Sequence, residues 1–133
     1  MKSYVRQRRL GQTGIATLDM VLTNTRATQP DVVFISTERL DIIKTRLMGA
    51  ADLVAEVISP NSRRRDRIDK RDLYEQHGVK EYWLIDPEAL TVEVLHLTGG
   101  EFQLVGRWHP GEQAESRLLN GFRVQVADLF AQA

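Results

Sequence analysis

The segments Asp52-Leu-Val-Ala-Glu-Val-Ile-Ser59 and Glu81-Tyr-Trp-Leu-Ile-Asp86 decide the fold of this chain. Both are short apolar runs typical of buried strands, and the charged segment 61–77 between them has the length and composition of a helix. A strand, a helix and a second strand at this spacing predict a right-handed parallel crossover unit. A further apolar run, Asp31-Val-Val-Phe-Ile35, follows Pro30 and predicts a third strand.

Two further segments lie before and between these predicted strands. Leu18 to Leu22 is short, apolar and partly alternating, which predicts a strand. We expect this strand to pair with the run 31–35 as a hairpin across the polar residues 24–29. The apolar spacing between 37 and 46 predicts either a short helix or an ordered loop.

Alternating strands follow on the carboxyl-terminal side. Residues 91–97 alternate between apolar and polar, Gly99-Gly100 is typical of a hairpin turn, and residues 102–108 form the returning strand. Residues 122–126 alternate again. Together these patterns predict an α/β (α+β) fold, with a mixed β-sheet flanked by helices and an additional C-terminal β-hairpin.

Composition favours one globular domain spanning residues 1–133, because 42% of the residues are apolar and 27% are charged. The formal net charge is zero, so overall charge gives no argument for or against a nucleic-acid partner. The absence of cysteine from the sequence excludes disulfides and thiolate metal sites.

The basic start of the chain, with Arg6, Arg8 and Arg9, has no apolar signal-peptide core after it. No apolar run approaches the ~20 residues that a helix needs to cross a bilayer. We therefore expect a cytoplasmic protein with no membrane partner. The basic arm is either a solvated segment or a contact to phosphates.

Glu56 is the residue that most needs an explanation, because a carboxylate inside a buried strand is costly unless it is paired or binds a metal. If Asp31 lies on the same sheet face, the two dry carboxylates cannot both remain ionised. A hard cation, Mg²⁺ or Mn²⁺, resolves this conflict, and the backbone carbonyl of Val57 could add a ligand. Such a site suits phosphate-ester hydrolysis, with Lys70 as charge stabiliser or proton carrier.

These residues also have purely structural interpretations. Asp31 could be a turn acid that bonds its own backbone, and Glu56 could form a structural salt bridge. Lys70 could pair with Asp66 on a solvated helix face, and Tyr74 could be a core residue. The remaining cations of the helix are either solvated or in contact with a phosphate backbone: Arg63, Arg64, Arg65, Arg67 and Arg71.

A longer pattern connects these residues. It comprises Pro30-Asp31, Glu56-Val-Ile-Ser59-Pro60, then Asp66, Lys70 and Tyr74, and finally Gly78-Val-Lys-Glu-Tyr-Trp-Leu-Ile-Asp-Pro87. This pattern resembles the Uma-type endonucleases of bacteria, which belong to the PD-(D/E)XK nuclease superfamily. The match covers nearly all of residues 18–130 and is most specific between 52 and 87.

The resemblance implies a restriction-endonuclease-like fold and a metal-dependent endonuclease that hydrolyses phosphodiester bonds of DNA. By the family pattern, Asp31 and Glu56 would be catalytic metal ligands and Lys70 would be the catalytic lysine. Asp66 and Tyr74 would support this site, and Mg²⁺ or Mn²⁺ would be its cofactor.

The chain departs from the superfamily pattern in two places. The superfamily has lysine two residues after the acid, where this chain has Ile58, so Lys70 on the helix would take that role. The region before Asp31 is short relative to the family, and we expect a homodimer to cover the sheet and its edges. The alternative to an enzyme is a nuclease-fold protein that binds nucleic acid or serves as an oligomeric scaffold without cleavage.

Overall fold

The computed structural model describes residues 11–15, as a strand, and residues 19–130. Within these residues, six strands form the main sheet. They are β1 (Gly11–Ile15), β4 (Val32–Ser36), β6 (Leu53–Val57), β7 (Glu81–Asp86), β8 (Thr91–Thr98) and β9 (Glu101–Trp108). Their order across the sheet is β1-β4-β6-β7-β8-β9. The predicted basic arm at Arg6, Arg8 and Arg9 lies outside the described residues.

The predicted parallel crossover is confirmed, because β6 and β7 pair in parallel with Leu53 opposite Glu81. The connection contains a π-helical turn, Arg65–Asp69, followed by helix α1, Lys70–Gln76. Both strands are almost entirely buried, which agrees with their continuous apolar character. The remaining neighbours in the main sheet pair antiparallel, so the sheet is mixed.

The predicted hairpin between 18–22 and 31–35 is wrong. Strand β2 (Met20–Val21) instead pairs antiparallel with β3 (Ala27–Thr28) and parallel with β5 (Leu47–Met48). A tight turn causes this, since the amide of Leu22 donates to the carbonyl of Arg26 at 2.9 Å and turns the chain back early. Strand β4 pairs with β1 and β6.

Residues 37–46 begin with a 3₁₀ helix, Thr37–Ile42, which agrees with the predicted short helix or ordered loop. The hairpin of β8 and β9 is also as predicted, with Gly99 and Gly100 at positive φ in its turn. Strand β8 lies inside the sheet, and β9 forms one of the two edges of this sheet.

The last described segment forms a separate small sheet. Strands β10 (Gln113–Glu115) and β11 (Arg123–Gln125) pair antiparallel, which is the additional C-terminal hairpin. The predicted strand 122–126 is therefore shorter, and helix α2 (Val126–Phe130) follows it directly.

Alternation along β7 divides the core between the two faces of the main sheet. Tyr82 and Leu84 pack with Tyr74 on the face that α1 covers, whereas Trp83 packs with Phe122 on the opposite face. Within residues 19–130, no helix is long and apolar enough to cross a membrane.

A buried carboxylate fastens the C-terminal segment to this sheet. Glu81, at the start of β7, is fully buried and accepts hydrogen bonds from the backbone amides of Arg117 and Leu118, both at 2.9 Å. It also accepts from the hydroxyl of Ser116 and the indole of Trp83. These bonds satisfy a charge that would otherwise be costly to bury.

Candidate active site

Asp31 and Glu56 lie side by side where β4 begins and β6 ends. The antiparallel register places Val32 opposite Ala55, so the next pair outward is Asp31 and Glu56. The amide of Asp31 donates to Oε1 of Glu56 at 3.2 Å, and the amide of Val57 donates to Oδ2 of Asp31 at 2.8 Å. Each carboxylate is therefore held by the backbone of the other strand.

Lys70 reaches the same place from the helix. Its ammonium group lies 2.8 Å from Oε2 of Glu56 and 3.2 Å from Oδ1 of Asp66. Lys70 is the first residue of α1 and directly follows the π-helical turn. An extra residue in a helical turn rotates the side chains that follow it, and such turns are frequent at functional sites.

Tyr74 completes the contacts of Glu56. Its hydroxyl lies 2.9 Å from Oε2 of Glu56 and 3.0 Å from the hydroxyl of Thr28 on β3. Burial and the neighbouring carboxylate of Glu56 raise the pKa of Tyr74 above its ordinary value, so the hydroxyl keeps its proton. Tyr74 therefore acts as a hydrogen-bond donor to the carboxylate.

Burial raises the pKa of Glu56 above its ordinary value, and the ammonium group of Lys70 and the hydroxyl of Tyr74 offset part of that rise. Only 2% of Glu56 is exposed, although it lies at the end of an otherwise apolar strand. The nearby charge of Asp31 adds to the rise. A cation beside Glu56 would favour its ionised form.

A polar cleft with a volume of about 250 Å³ opens over these side chains. We call it the Glu56 cleft, and its lining residues are Gln29, Asp31, Glu56, Val57, Ser59, Ser62, Arg65, Asp66 and Lys70. A neighbouring cavity of about 440 Å³ shares Gln29, Arg65 and Lys70 with it and extends towards β3. We call the two cavities together the groove, because Arg65 and Lys70 of the helical connection line both of them.

The oxygen atoms of the Glu56 cleft have the chemistry that Mg²⁺ prefers. Asp66 is buried, and its Oδ1 has no hydrogen-bond partner within the described residues, although it faces Lys70. Among residues 11–15 and 19–130, no group of three His, Cys, Asp or Glu residues could enclose an ion. The carboxylates of Asp31 and Glu56 line the cleft and match the preference of Mg²⁺, which commonly binds through one or two carboxylates and completes its coordination with water and phosphate.

A comparison with models of known protein families shows the family of this chain. The family model Uma2, described as "Putative restriction endonuclease", matches residues 1–127. The chain belongs to this family. No curated protein matches the chain closely enough to count as a relative.

A solved structure supports the fold of this Uma2-family chain. It is described as a putative nuclease belonging to DUF820 from Anabaena variabilis ATCC 29413, and the TM-score is 0.78. The alignment covers 98% of this chain and 73% of that chain, at 21% identity. This likeness confirms the predicted nuclease-like fold with its mixed sheet.

The arginines of the Uma2-family helix fall into two groups. Arg63 lies 2.5 Å from Oδ2 of Asp86, and Arg67 contacts both Asp86 at 3.2 Å and Glu93 at 2.6 Å. Burial alone would raise the pKa of Asp86, but hydrogen bonds from Arg63, the amide of Ala89 and Arg67 outweigh it and lower the pKa to about 2. Arg63 and Arg67 are therefore held by carboxylates of the protein.

The other three arginines make no ion pair within the part of the chain that the structure describes. Arg64 and Arg65 are exposed, Arg71 is half-buried, and Arg65 also lines the Glu56 cleft. The nucleic-acid role predicted for the five arginines stays a prediction, as do the catalytic roles of Asp31, Glu56 and Lys70 and the ligand role of Val57.

Some residues at the site were not expected from the sequence. Ser62 donates its hydroxyl to Oδ2 of Asp66 at 2.7 Å. Thr28 and Gln29 lie in a segment that looked like a polar turn and gave no signal of a site. Ile58, at the position of the superfamily lysine, is buried in the core, so that position carries no charge near Glu56.

Proposed function

We propose that this chain is a metal-dependent endonuclease that hydrolyses phosphodiester bonds of DNA. The observation that supports this function best is the meeting of Asp31, Glu56 and Lys70 in one cleft of a chain from a restriction endonuclease family. Two carboxylates and a lysine suit a reaction in which negative charge increases on a phosphate.

The residues at the Glu56 cleft have separate roles in the proposed hydrolysis. Asp31 and Glu56 hold a Mg²⁺ or Mn²⁺ ion, and the backbone carbonyl of Val57 is the third candidate ligand. When bound, the ion supplies charge neutralisation at the phosphate and a more acidic water molecule. Lys70 stabilises the developing charge of the phosphate with its ammonium group. Tyr74 orients the carboxylate of Glu56 through its hydrogen bond of 2.9 Å.

The DNA backbone lies along the groove beside the helix in this proposal. Arg65 lines both cavities of that groove, and Arg64 and Arg71 lie on the same helix without an acidic partner in the described residues. Cations that lack a carboxylate partner can contact phosphates without first breaking an ion pair. Arg63 and Arg67 instead stabilise the helix against β7 and β8.

The proposal of a homodimer is based on the edge of the main sheet that β9 forms. Strand β9 presents Leu104, which is 54% exposed, on this edge. An exposed apolar residue on an outer strand favours pairing with a second copy, and twofold symmetry would place two Glu56 clefts in one particle. We also expect the enzyme to act in the cytoplasm, where its DNA substrate is found.

Nicking of supercoiled plasmid DNA in the presence of Mg²⁺ or Mn²⁺ tests the function. We expect the wild-type protein to nick the plasmid only with the cation, and Glu56→Ala to lose this activity. Glu38→Ala is the matched control, because Glu38 is exposed on the 3₁₀ helix and does not line the cleft. If the wild-type protein binds DNA but does not nick it with either cation, the scaffold alternative replaces the enzyme.

A further inference from the structure

Asp66 has an acceptor atom that the folded chain leaves unsatisfied. The residue is 2% exposed, and Ser62 binds its Oδ2 at 2.7 Å. Its Oδ1 is buried without a hydrogen bond in the described part of the chain, although the ammonium group of Lys70 lies 3.2 Å away. A buried carboxylate oxygen without a hydrogen bond is costly, so its retention needs an explanation.

Lys70 lies between two carboxylates but bonds well to one of them. It makes a hydrogen bond of 2.8 Å to Oε2 of Glu56 and approaches Asp66 without hydrogen-bond geometry. A divalent cation at Glu56 would compete with the ammonium group for Oε2 and would also repel it. The ammonium group would then need a different carboxylate, because an unpaired charge at a half-buried position is unfavourable.

We propose that Asp66 is a positioning residue that receives Lys70 on Oδ1 when Glu56 binds the cation. This inference rests on the cation proposed above for Glu56. Lys70 would remain beside the reacting phosphate but would no longer occupy the oxygen that the cation needs. Lys70 would therefore have a carboxylate partner in the site both before and after the cation binds.

The surroundings of Asp66 suit this role. The hydroxyl of Tyr82 donates to its backbone carbonyl at 2.9 Å, and Ser62 fixes its other carboxylate oxygen. Both contacts hold Asp66 in place without involving Oδ1. Asp66 and Lys70 are four residues apart across the π-helical turn, so a small rotation of the lysine side chain brings the two groups together.

The test measures Mn²⁺ binding without DNA, by titration calorimetry or by the spin resonance of unbound Mn²⁺. Asp66→Asn removes the second carboxylate, so the cation must displace a lysine that has no other acidic partner. We expect the Mn²⁺ affinity to fall roughly 10- to 100-fold, as for other residues that support a metal ligand. In a Lys70→Met background, Asp66→Asn should change the affinity by no more than about twofold, because no ammonium group needs to be moved.

Other results overturn the proposal. If Asp66→Asn weakens binding equally in both backgrounds, Asp66 is a direct ligand, and if it has no effect in either, Asp66 does not position Lys70. If Asp66→Asn does not fold, Ser62→Ala replaces it and should weaken binding only while Lys70 is present. If the wild-type protein binds no Mn²⁺, both this inference and the metal-dependent function are excluded. If Mn²⁺ binding is lost in Glu56→Gln but unchanged in Asp66→Asn, only this inference is excluded.

Discussion

The ammonium group of Lys70 lies 2.8 Å from Oε2 of Glu56, although 14 residues separate them in the sequence. A lysine two residues after the acid would follow it along the same strand, but that position is the buried Ile58. The helix therefore supplies the charge that the strand lacks. Only the packing of the helix on the sheet brings this lysine to the acid.

The pH dependence of the free energy of unfolding should change when Glu56 is replaced by glutamine. The folded-state pKa of Glu56 is raised above its ordinary value of 4.5, so the folded protein holds this proton more tightly than the unfolded chain does. The wild-type protein then loses stability as the pH rises from 4.5 through the raised value. Glu56→Gln should lack this loss and gain relative stability between pH 4 and pH 7.

Denaturant unfolding of both proteins without cation, at pH 4 and pH 7, measures this difference. Glu101→Gln, at an exposed position, is the control and should follow the wild type. A Glu56→Gln protein whose stability relative to wild type falls between pH 4 and pH 7 would contradict the raised pKa.

Acid should selectively weaken the ion pairs of Asp86. The folded-state pKa of Asp86 is about 2 and its ordinary value is 3.8, so its contribution to stability is present above pH 3.8 and is lost as the pH falls through 2. Asp86→Asn should destabilise the protein by roughly 1–3 kcal/mol at pH 7, because a buried hydrogen-bonded carboxylate is lost.

The difference between Asp86→Asn and wild type should shrink as the pH approaches 2. Unfolding followed by circular dichroism across pH 2–7 measures it, with Asp41→Asn at an exposed position as the control. A difference that stays constant over this range would show that Asp86 is not held in its ionised form by Arg63 and Arg67.

The arginines should separate into a DNA-binding and a structural group. Arg65→Ala should weaken DNA binding and reduce the slope of log affinity against log salt by about one, because one phosphate contact is lost. Arg67→Ala should leave that slope unchanged and lower stability by about 1–3 kcal/mol, since Arg67 bonds to Asp86 and Glu93. Fluorescence anisotropy at several salt concentrations, combined with thermal unfolding, distinguishes the two. The reverse pattern would refute the proposed path of the DNA.

A charge on the outer strand should prevent dimerisation. Leu104→Lys places a cation on β9, and lysine on an edge strand opposes pairing with a second copy. Light scattering at micromolar concentration should give a dimer for the wild type and a monomer for this variant. Leu129→Lys is the control, because Leu129 is exposed on α2 rather than on the sheet edge. A wild-type monomer whose mass does not depend on concentration would exclude the dimer.

The central part of the fold could be predicted because its signals are local. Two buried runs separated by one helix length specify a parallel pair, and the glycines at 99–100 specify a hairpin turn. The pairing of Met20–Val21 could not be predicted, because so short a strand has no pattern that selects its partner. The turn that closes at Arg26 determined that partner.

Part of the candidate site could also be predicted, from one residue in an unusual position and from a family resemblance. Glu56 was conspicuous as an acid in an apolar run, and family resemblance pointed to Asp31 and Lys70. The support from Thr28 and Ser62 was not visible, because polar residues in turns are common and their contacts depend on tertiary packing. The division of the arginines also depends on where Asp86 and Glu93 lie across the sheet.

The position of a bound cation tests the central claim most directly. Crystals soaked in Mn²⁺ and measured for anomalous scattering should show an ion between the carboxylates of Asp31 and Glu56, with Lys70 moved towards Asp66. Crystals of Glu56→Gln with the same fold should show no anomalous peak there. An ion bound elsewhere, or a wild-type cleft in which Lys70 still bonds Glu56 and no anomalous peak appears at saturating Mn²⁺, would contradict the account.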